Sequence, residues 1–240
     1  MRLLRLDKLL SDVGAASRQE ARECIRAGRV TVDGAVQRRP ETKVDPERQT
    51  VCLDGAPLTW AEHRYYMLHK PLGVVTATED RTERTVLELF PAPLRRNLVP
   101  AGRLDKDTSG LLLLSTDGQW VHRIISPGHQ VPKVYLAETD GTPTPEAVRA
   151  FAEGVTLRDG TRCRPAVLEI LAPGRCRVTV TEGKYHLVRR LLASVGTPVT
   201  ALHRVRIGAL SLDETLSAGH FRALTRQEMD AVLINKESEK

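Results

Sequence analysis

Residues 102–118, GRLDKDTSGLLLLSTDG, set two acids, Asp105 and Asp107, in a short polar loop immediately before a wholly apolar run ending at Ser115. Four consecutive leucines after a glycine read as a strand buried on both faces, because a half-exposed strand would alternate apolar and polar residues. A loop feeding such a strand is held at its base and can present a side chain rigidly at a cleft. Short apolar runs alternate with turn signals on both sides of this stretch. They place strand candidates at 66–68, 74–76, 110–115, 134–138, 166–171 and 177–181, and helix candidates at 85–89, 119–126, 145–154, 185–195 and 226–233. Strands outnumber crossover helices, so the expected architecture is α+β, a mainly antiparallel β-sheet with flanking helices.

The acids of this loop admit more than one reading. DKDTSG, Asp105 to Gly110, matches the first half of a calcium-binding loop, but that loop needs a bidentate Glu at its twelfth position. The twelfth residue here is Thr116, and leucines fill the ligand positions between. Calcium is rejected. Asp105 could instead close an Asx-turn, as loop aspartates commonly do, or act as a reactive carboxylate. The residues alone leave both open.

The first sixty residues form a separate module. Leu6, Leu9, Leu10 and Val13 recur at helical spacing and Gly14 ends that helix. Ser17, with Glu20 three residues on, is a capping box that starts a second helix, and Gly28 stands where a helix-terminating glycine belongs. Val30–Val32 followed by Asp33-Gly34, and a second Asp-Gly pair at Asp54-Gly55, are hairpin-turn chemistry. On a wheel of the second helix Arg18, Arg22, Arg26 and Arg29 fall in one narrow arc, with Glu20 and Glu23 away from it. A solvated face usually mixes signs. Stacked guanidinium groups repel unless something anionic lies across them, so the stripe reads as a candidate phosphate-binding face. The boundary falls near residues 60–64, giving modules at 1–60 and 65–234, with 235–240 (NKESEK) expected as a disordered tail.

Lys and Arg number 36 against 30 Asp and Glu, a net charge of +6 that favours a polyanionic partner. Aromatics are only 4% of the chain, too few for a platform stacking many bases in a row. The four cysteines form no C-x-x-C pair and have no histidines at zinc spacing, so they read as reduced thiols and no metal site is expected. Arg2, Arg5, Asp7 and Lys8 break up every apolar run at the N-terminus. No stretch is long enough to span a bilayer, and a cytoplasmic protein without membrane contact is expected.

Residues 4–58, through Arg5-Leu6-Asp7-Lys8, Ser17-Arg18 and IRAGRVTVDG at 25–34, resemble the alpha-L RNA-binding motif. GRLDKDTSGLLLLSTDG resembles the signature of the pseudouridine synthase family, in particular its ribosomal small subunit pseudouridine synthase A group. Companion segments in the same order strengthen the resemblance: MLHKPLGVV (67–75), GQWVHRIISP (118–127), KVYLAE (133–138), EGKYHLVRRLLASVG (182–196) and LHRVRIG (202–208). The resemblance implies a catalytic domain at 65–234 that isomerises one uridine of small-subunit ribosomal RNA, free or in an assembly intermediate. It implies a monomer that needs no cofactor. Carried over, it implies that Asp105 is the essential carboxylate, Tyr135 the tyrosine lying against the target base, and Arg189 the basic residue pairing with that carboxylate. Lys70 and Arg103 would help position substrate phosphates or the active loop. Leu187 departs from the family pattern, where a polar Gln is common. Two other readings are a large-subunit synthase and a non-catalytic ribosome-assembly factor.

Overall fold

A computed structural model describes residues 3–234, so the tail at 235–240 lies outside the described residues. The chain divides into two compact units, residues 1–63 with 90–98, and residues 64–89 with 99–240. Segment 90–98 therefore groups with the N-terminal unit, whereas the sequence pattern points to a continuous second domain from residue 65.

The first unit packs β1 (Leu4–Arg5), α1 (Leu6–Asp12), α2 (Arg18–Arg26), β2 (Val30–Val32), β3 (Ala35–Gln37), β4 (Lys43–Val44), β5 (Val51–Leu53), β6 (Ala56–Pro57) and the short α3 (Ala92–Arg95). Ser17 accepts the Glu20 amide and the Glu20 carboxylate accepts the Ser17 amide, the reciprocal box expected, worth about 1 kcal/mol. Leu6, Leu9 and Leu10 of α1 and Ala21 and Ile25 of α2 bury against Val30, Val32, Val44 and Val51. Both Asp-Gly turns take the two positive φ angles of a type I′ hairpin: 49° and 81° at Asp33-Gly34, 51° and 80° at Asp54-Gly55.

The arginine stripe is corrected by α1. Asp7 is fully buried, and its Oδ2 lies 3.0 Å from Arg5 Nη2, 3.1 Å from Arg22 Nε and 3.7 Å from Arg18 Nε. Burial alone would raise this carboxyl, but hydrogen bonds from Arg5 and Arg22 hold it at about 2. Arg29 lies beyond the end of α2, and its Nε donates to Asp54 Oδ1 at 2.8 Å. Much of the anion that the stripe required is thus the protein's own.

The second unit is a nine-stranded sheet of order β11-β12-β10-β13-β9-β7-β15, with β14 added to β13 and β8 to β9. Its elements are β7 (Tyr65–Lys70), β8 (Val99–Pro100), β9 (Thr108–Ser115), α4 (Gly118–Ile125), β10 (Lys133–Thr139), α5 (Pro145–Glu153), β11 (Val167–Ala172), β12 (Arg175–Val180), α6 (Leu187–Ser194), β13 (Val199–Ile207), β14 (Leu210–Ser211), β15 (Phe221–Ala223) and α7 (Arg226–Ala231). β9 pairs antiparallel with β7 and parallel with β13; the other strand pairs of this sheet are antiparallel. Leu111 to Leu114 are fully buried, which accounts for the unbroken leucine run. Gly110 has φ +110°, and a Cβ there would fall 2.2 Å from Arg204 O of β13, so only glycine lets the two backbones meet. One core gathers α5, α6 and β10–β12, and another gathers α4 with β7, β9 and residues around α7.

Three expectations shift here. Residues 74–76 do not form a strand. Val75 makes one isolated bridge to Thr85, and Thr76 turns its hydroxyl to the backbone of Leu104. The helix expected at 85–89 is a 3-10 turn, Val86–Leu89. The helix expected from 185 starts at Leu187, because His186 adopts the left-handed conformation at φ +50°. No helix among the described residues is long and apolar enough to cross a membrane.

Candidate active site

The loop ahead of β9 is fixed from below. Lys70, the last residue of β7, is fully buried, and its Nζ donates to Pro71 O (3.0 Å), Asp105 O (3.0 Å) and Thr108 O (2.9 Å). Burial pushes its pKa down to about 8. Lys70 therefore holds the loop and cannot reach a phosphate, which removes one of the two roles expected of it. Thr76 Oγ1 donates to Leu104 O (2.7 Å) and accepts from Leu104 N (3.1 Å), and Gly73 N donates to Lys106 O (2.9 Å).

On this anchored backbone the Asp105 side chain is 28% exposed, and its Oδ1 lies 3.4 Å from His186 Nε2. Among the described residues no backbone amide donates to the Asp105 carboxylate. Asp80, Asp159 and Asp213, by contrast, accept from amides two residues on, as turn-forming aspartates do. The Asx-turn reading of Asp105 finds no support in this geometry.

Two cavities meet at Asp105 and His186. One, of about 870 Å³, is bordered by Leu72, Ser109, Asp107 and His203. The other, of about 420 Å³, brings Tyr135, Arg103, Arg189 and Arg204 around Asp105. Tyr135, half-buried on β10, stands opposite Arg204 in the β10–β13 register. Arg103 is exposed at the rim.

Arg189 does not pair with Asp105. Its Nη2 lies 2.8 Å from Asp107 Oδ2 and donates to Asp107 O at 3.0 Å. Asp107 offers both its carboxylate and its carbonyl to that one nitrogen, while the Asp105 carboxylate faces His186. Leu187, the departure from the family pattern, is buried in the core under α6 rather than placed for hydrogen bonding.

The residue that sequence reasoning missed is Arg204. It is 3% exposed and bridges the site: Nε donates to Leu111 O (2.8 Å), and Nη1 to Tyr135 OH (3.3 Å) and Arg103 O (3.4 Å). Its guanidinium carbon sits 5.8 Å from the Tyr135 ring centroid. Nη2 is buried without a hydrogen-bond partner, and no carboxylate pairs with this charge among the described residues. Buried charges are ordinarily paired, so an unmatched guanidinium lining a cavity is suited to an incoming oxygen. Lys133 lines the same cavity, its pKa pushed down to about 8 by burial and by Arg204. The sole signal for Arg204 in the sequence is its place inside LHRVRIG. The site thus offers a rigid carboxylate, an aromatic face and a buried cation to a planar, partly anionic ligand. No cluster of His, Cys, Asp and Glu among the described residues could hold a metal ion.

Comparison with known proteins gives the family. Residues 64–194 match the family described as RNA pseudouridylate synthase, and residues 4–49 match the S4 domain. The chain is 43% identical to the ribosomal small subunit pseudouridine synthase A of Escherichia coli K12, over 96% of this chain and all of that protein. It is 40% identical to an uncharacterized RNA pseudouridine synthase of Bacillus subtilis, over 94% of this chain and 97% of that one. A solved structure described as a pseudouridylate synthase superposes with a TM-score of 0.69 at 38% identity, covering 95% of this chain and 99% of the other. The chain belongs to the RNA pseudouridylate synthase family: it is an RNA pseudouridine synthase with an S4 domain at its N-terminal end.

Proposed function

We propose that the enzyme isomerises a specific uridine of small-subunit ribosomal RNA in the cytoplasm, as a monomer, with Asp105 as its essential carboxylate. The observation that carries the assignment is the state of Asp105 itself. Its backbone is held by Lys70 and its carboxylate accepts no turn amide, at the junction of two cavities, the smaller of them lined by Tyr135 and Arg204. The ribosomal substrate is inferred from the 43% identity to the E. coli small-subunit enzyme over nearly the whole chain.

The reaction breaks the bond from uracil N1 to the ribose, turns the base and joins C5 to the same carbon; the proton lost from C5 is balanced by one gained at N1. Product and substrate are isomers, so the chemistry calls for no redox or group-carrying cofactor. Asp105 can serve as nucleophile toward the ribose or base, or as a base at the sugar. The Tyr135 face can hold the extruded uracil while it turns, because stacking tolerates rotation in the plane. Arg204, with its free Nη2, can donate to a uracil carbonyl. Arg103 at the rim suits a backbone phosphate. Arg189 acts through Asp107 to hold the loop against α6. The S4 domain would grip RNA through the outward-facing parts of Arg18, Arg22, Arg26 and Arg29, with Arg26 carrying no ion pair among the described residues.

The test incubates enzyme in excess with small- and large-subunit ribosomal RNA and maps pseudouridine chemically. Asp105→Asn keeps the shape of the side chain and removes its charge and nucleophilicity, so it should yield almost no product while binding RNA normally. Asp107→Asn should retain chemistry with a loosened loop. Substantial product from folded Asp105→Asn, or conversion confined to large-subunit RNA, refutes the corresponding half of the assignment.

A further inference from the structure

Of the nine aromatic residues in the chain, Tyr185 is the one that stands exposed, at 70%, while the others are buried or half-buried. It stands at the rim of the smaller cavity, directly before His186. The two rings are stacked, centroids 3.8 Å apart and planes within 18°. Side chains of consecutive residues in an extended strand point to opposite sides. The left-handed turn at His186, φ +50°, is what lets these neighbours lie face to face. That conformation is unusual for a residue with a Cβ and carries a cost of order 1–3 kcal/mol, so the surrounding structure holds it.

His186 covers one face of the Tyr185 ring and leaves the other open. The same His186 is the partner of Asp105 at 3.4 Å and borders both cavities, while Tyr185 borders the smaller one. An open phenol face in water is an odd investment for a chain this poor in aromatics unless something planar covers it. The substrate class supplies the planar group: RNA presents unpaired bases beside any nucleotide drawn into the cleft.

We propose that Tyr185, backed by His186, is a stacking platform for one unpaired base flanking the target uridine. The inference rests on the assignment of Asp105 as the reacting carboxylate, which defines where the target lies. The flanking base extends the stack, base on Tyr185 on His186, and fixes the backbone on one side while the target enters the cavity lined by Tyr135. Because every base has such a face, the platform reads unpairedness rather than sequence.

The probe is the shortest RNA that the wild-type enzyme converts, prepared intact and with single abasic nucleotides at each of the positions flanking the target. Equilibrium affinity, measured by anisotropy, is the readout, so the result does not depend on turnover. Tyr185→Ala should weaken binding of intact RNA by about 5- to 150-fold, the range for removal of one base stack, and Tyr185→Phe by less than about threefold. With the abasic nucleotide at the stacked position, wild type and Tyr185→Ala should bind alike. The proposal is overturned if Tyr185→Ala binds intact RNA as wild type does, or if its deficit persists unchanged at every abasic position. Turnover of Asp105→Asn, measured separately, reports on the catalytic assignment, so the two failures are distinguishable. Tyr185 is exposed, and its replacement leaves the core untouched.

Discussion

Lys70→Met tests how the reactive loop is held. The lysine ammonium is fully buried and donates to three carbonyl oxygens, those of Pro71, Asp105 and Thr108, at 2.9–3.0 Å. Methionine matches its length but supplies no donor. Asp105 O keeps the Thr108 amide at 3.1 Å, so two acceptors lose their donor, at about 1–3 kcal/mol each, roughly 2–6 together. Against this stands relief from burying a charge. The fall of the lysine from 10.5 to about 8 corresponds to about 3 kcal/mol at the standard conversion per pH unit. The variant should therefore lie between about 1 kcal/mol more stable and about 3 kcal/mol less stable, centred on a loss near 1. Misplacing a reacting group by an ångström costs about a hundredfold, so kcat should drop on that order with RNA affinity and its salt slope unchanged. Urea unfolding, single-turnover conversion and salt-dependent binding measure the three quantities. Wild-type turnover, or a flattened salt slope, would refute the reasoning. The same burial fixes a pH dependence. The unfolded chain keeps the proton to about 10.5 while the folded chain releases it near 8. The penalty is thus fully present below pH 8, and stability rises as pH climbs from 8 to 10.5. Lys133 contributes in the same direction, so the rise should shrink, not vanish, in Lys70→Met.

Asp7, held at about 2 in the folded state against an ordinary 3.8, stabilises the N-terminal unit above pH 4 and loses that effect as pH falls toward 2. An acid titration of unfolding should lose at most about 2 kcal/mol to this group, since its arginine partners are half exposed, and Asp7→Asn should lack that part of the decline. Changing Arg18, Arg22, Arg26 and Arg29 to Gln should weaken RNA binding and flatten its salt dependence by about 0.7–0.9 for each phosphate no longer neutralised. The total should fall short of four phosphates, because Asp7 and Asp54 occupy some of the guanidinium donors. Unchanged affinity and slope would make the stripe a solvated face. Tyr135→Phe removes one long hydrogen bond from Arg204 and should cost at most about tenfold in conversion, while Tyr135→Ala loses the base-holding face and far more. Equal losses in the two would point to the hydroxyl instead.

Local signals carried much of this fold. The capping box at Ser17, the two Asp-Gly turns and the leucine run of β9 each have one inexpensive backbone solution, and each takes it. What escaped the sequence depends on long-range pairing. Lys70 ends a strand reading YYMLHK, where a lysine looks like the solvent end; its burial follows from β9 and the loop closing over it. β13 lies between Gly196-Thr197-Pro198 and Gly208, but Ala201-Leu202 and His203-Arg204 break its alternation, and its parallel pairing with β9 is what buries Arg204. The charge segregation of α2 was visible, but Asp7 lies on a different helix, fifteen residues from Arg22. The pairing of Arg189 with Asp107 in place of Asp105 depends on the direction of two loop side chains, which no periodicity encodes.

A side chain of even one carbon at residue 110 would strike the backbone of Arg204, so β9 and β13 can lie this close only while residue 110 is glycine. The loop that leads into β9 and the guanidinium carried on β13 thereby meet at one seam of the sheet. A floor built on that seam receives a nucleotide already swung out of its stack, a step that costs a few kcal/mol. By that cost, a uridine in a strained or half-melted stretch of RNA should be converted faster than the same uridine in a firm stem.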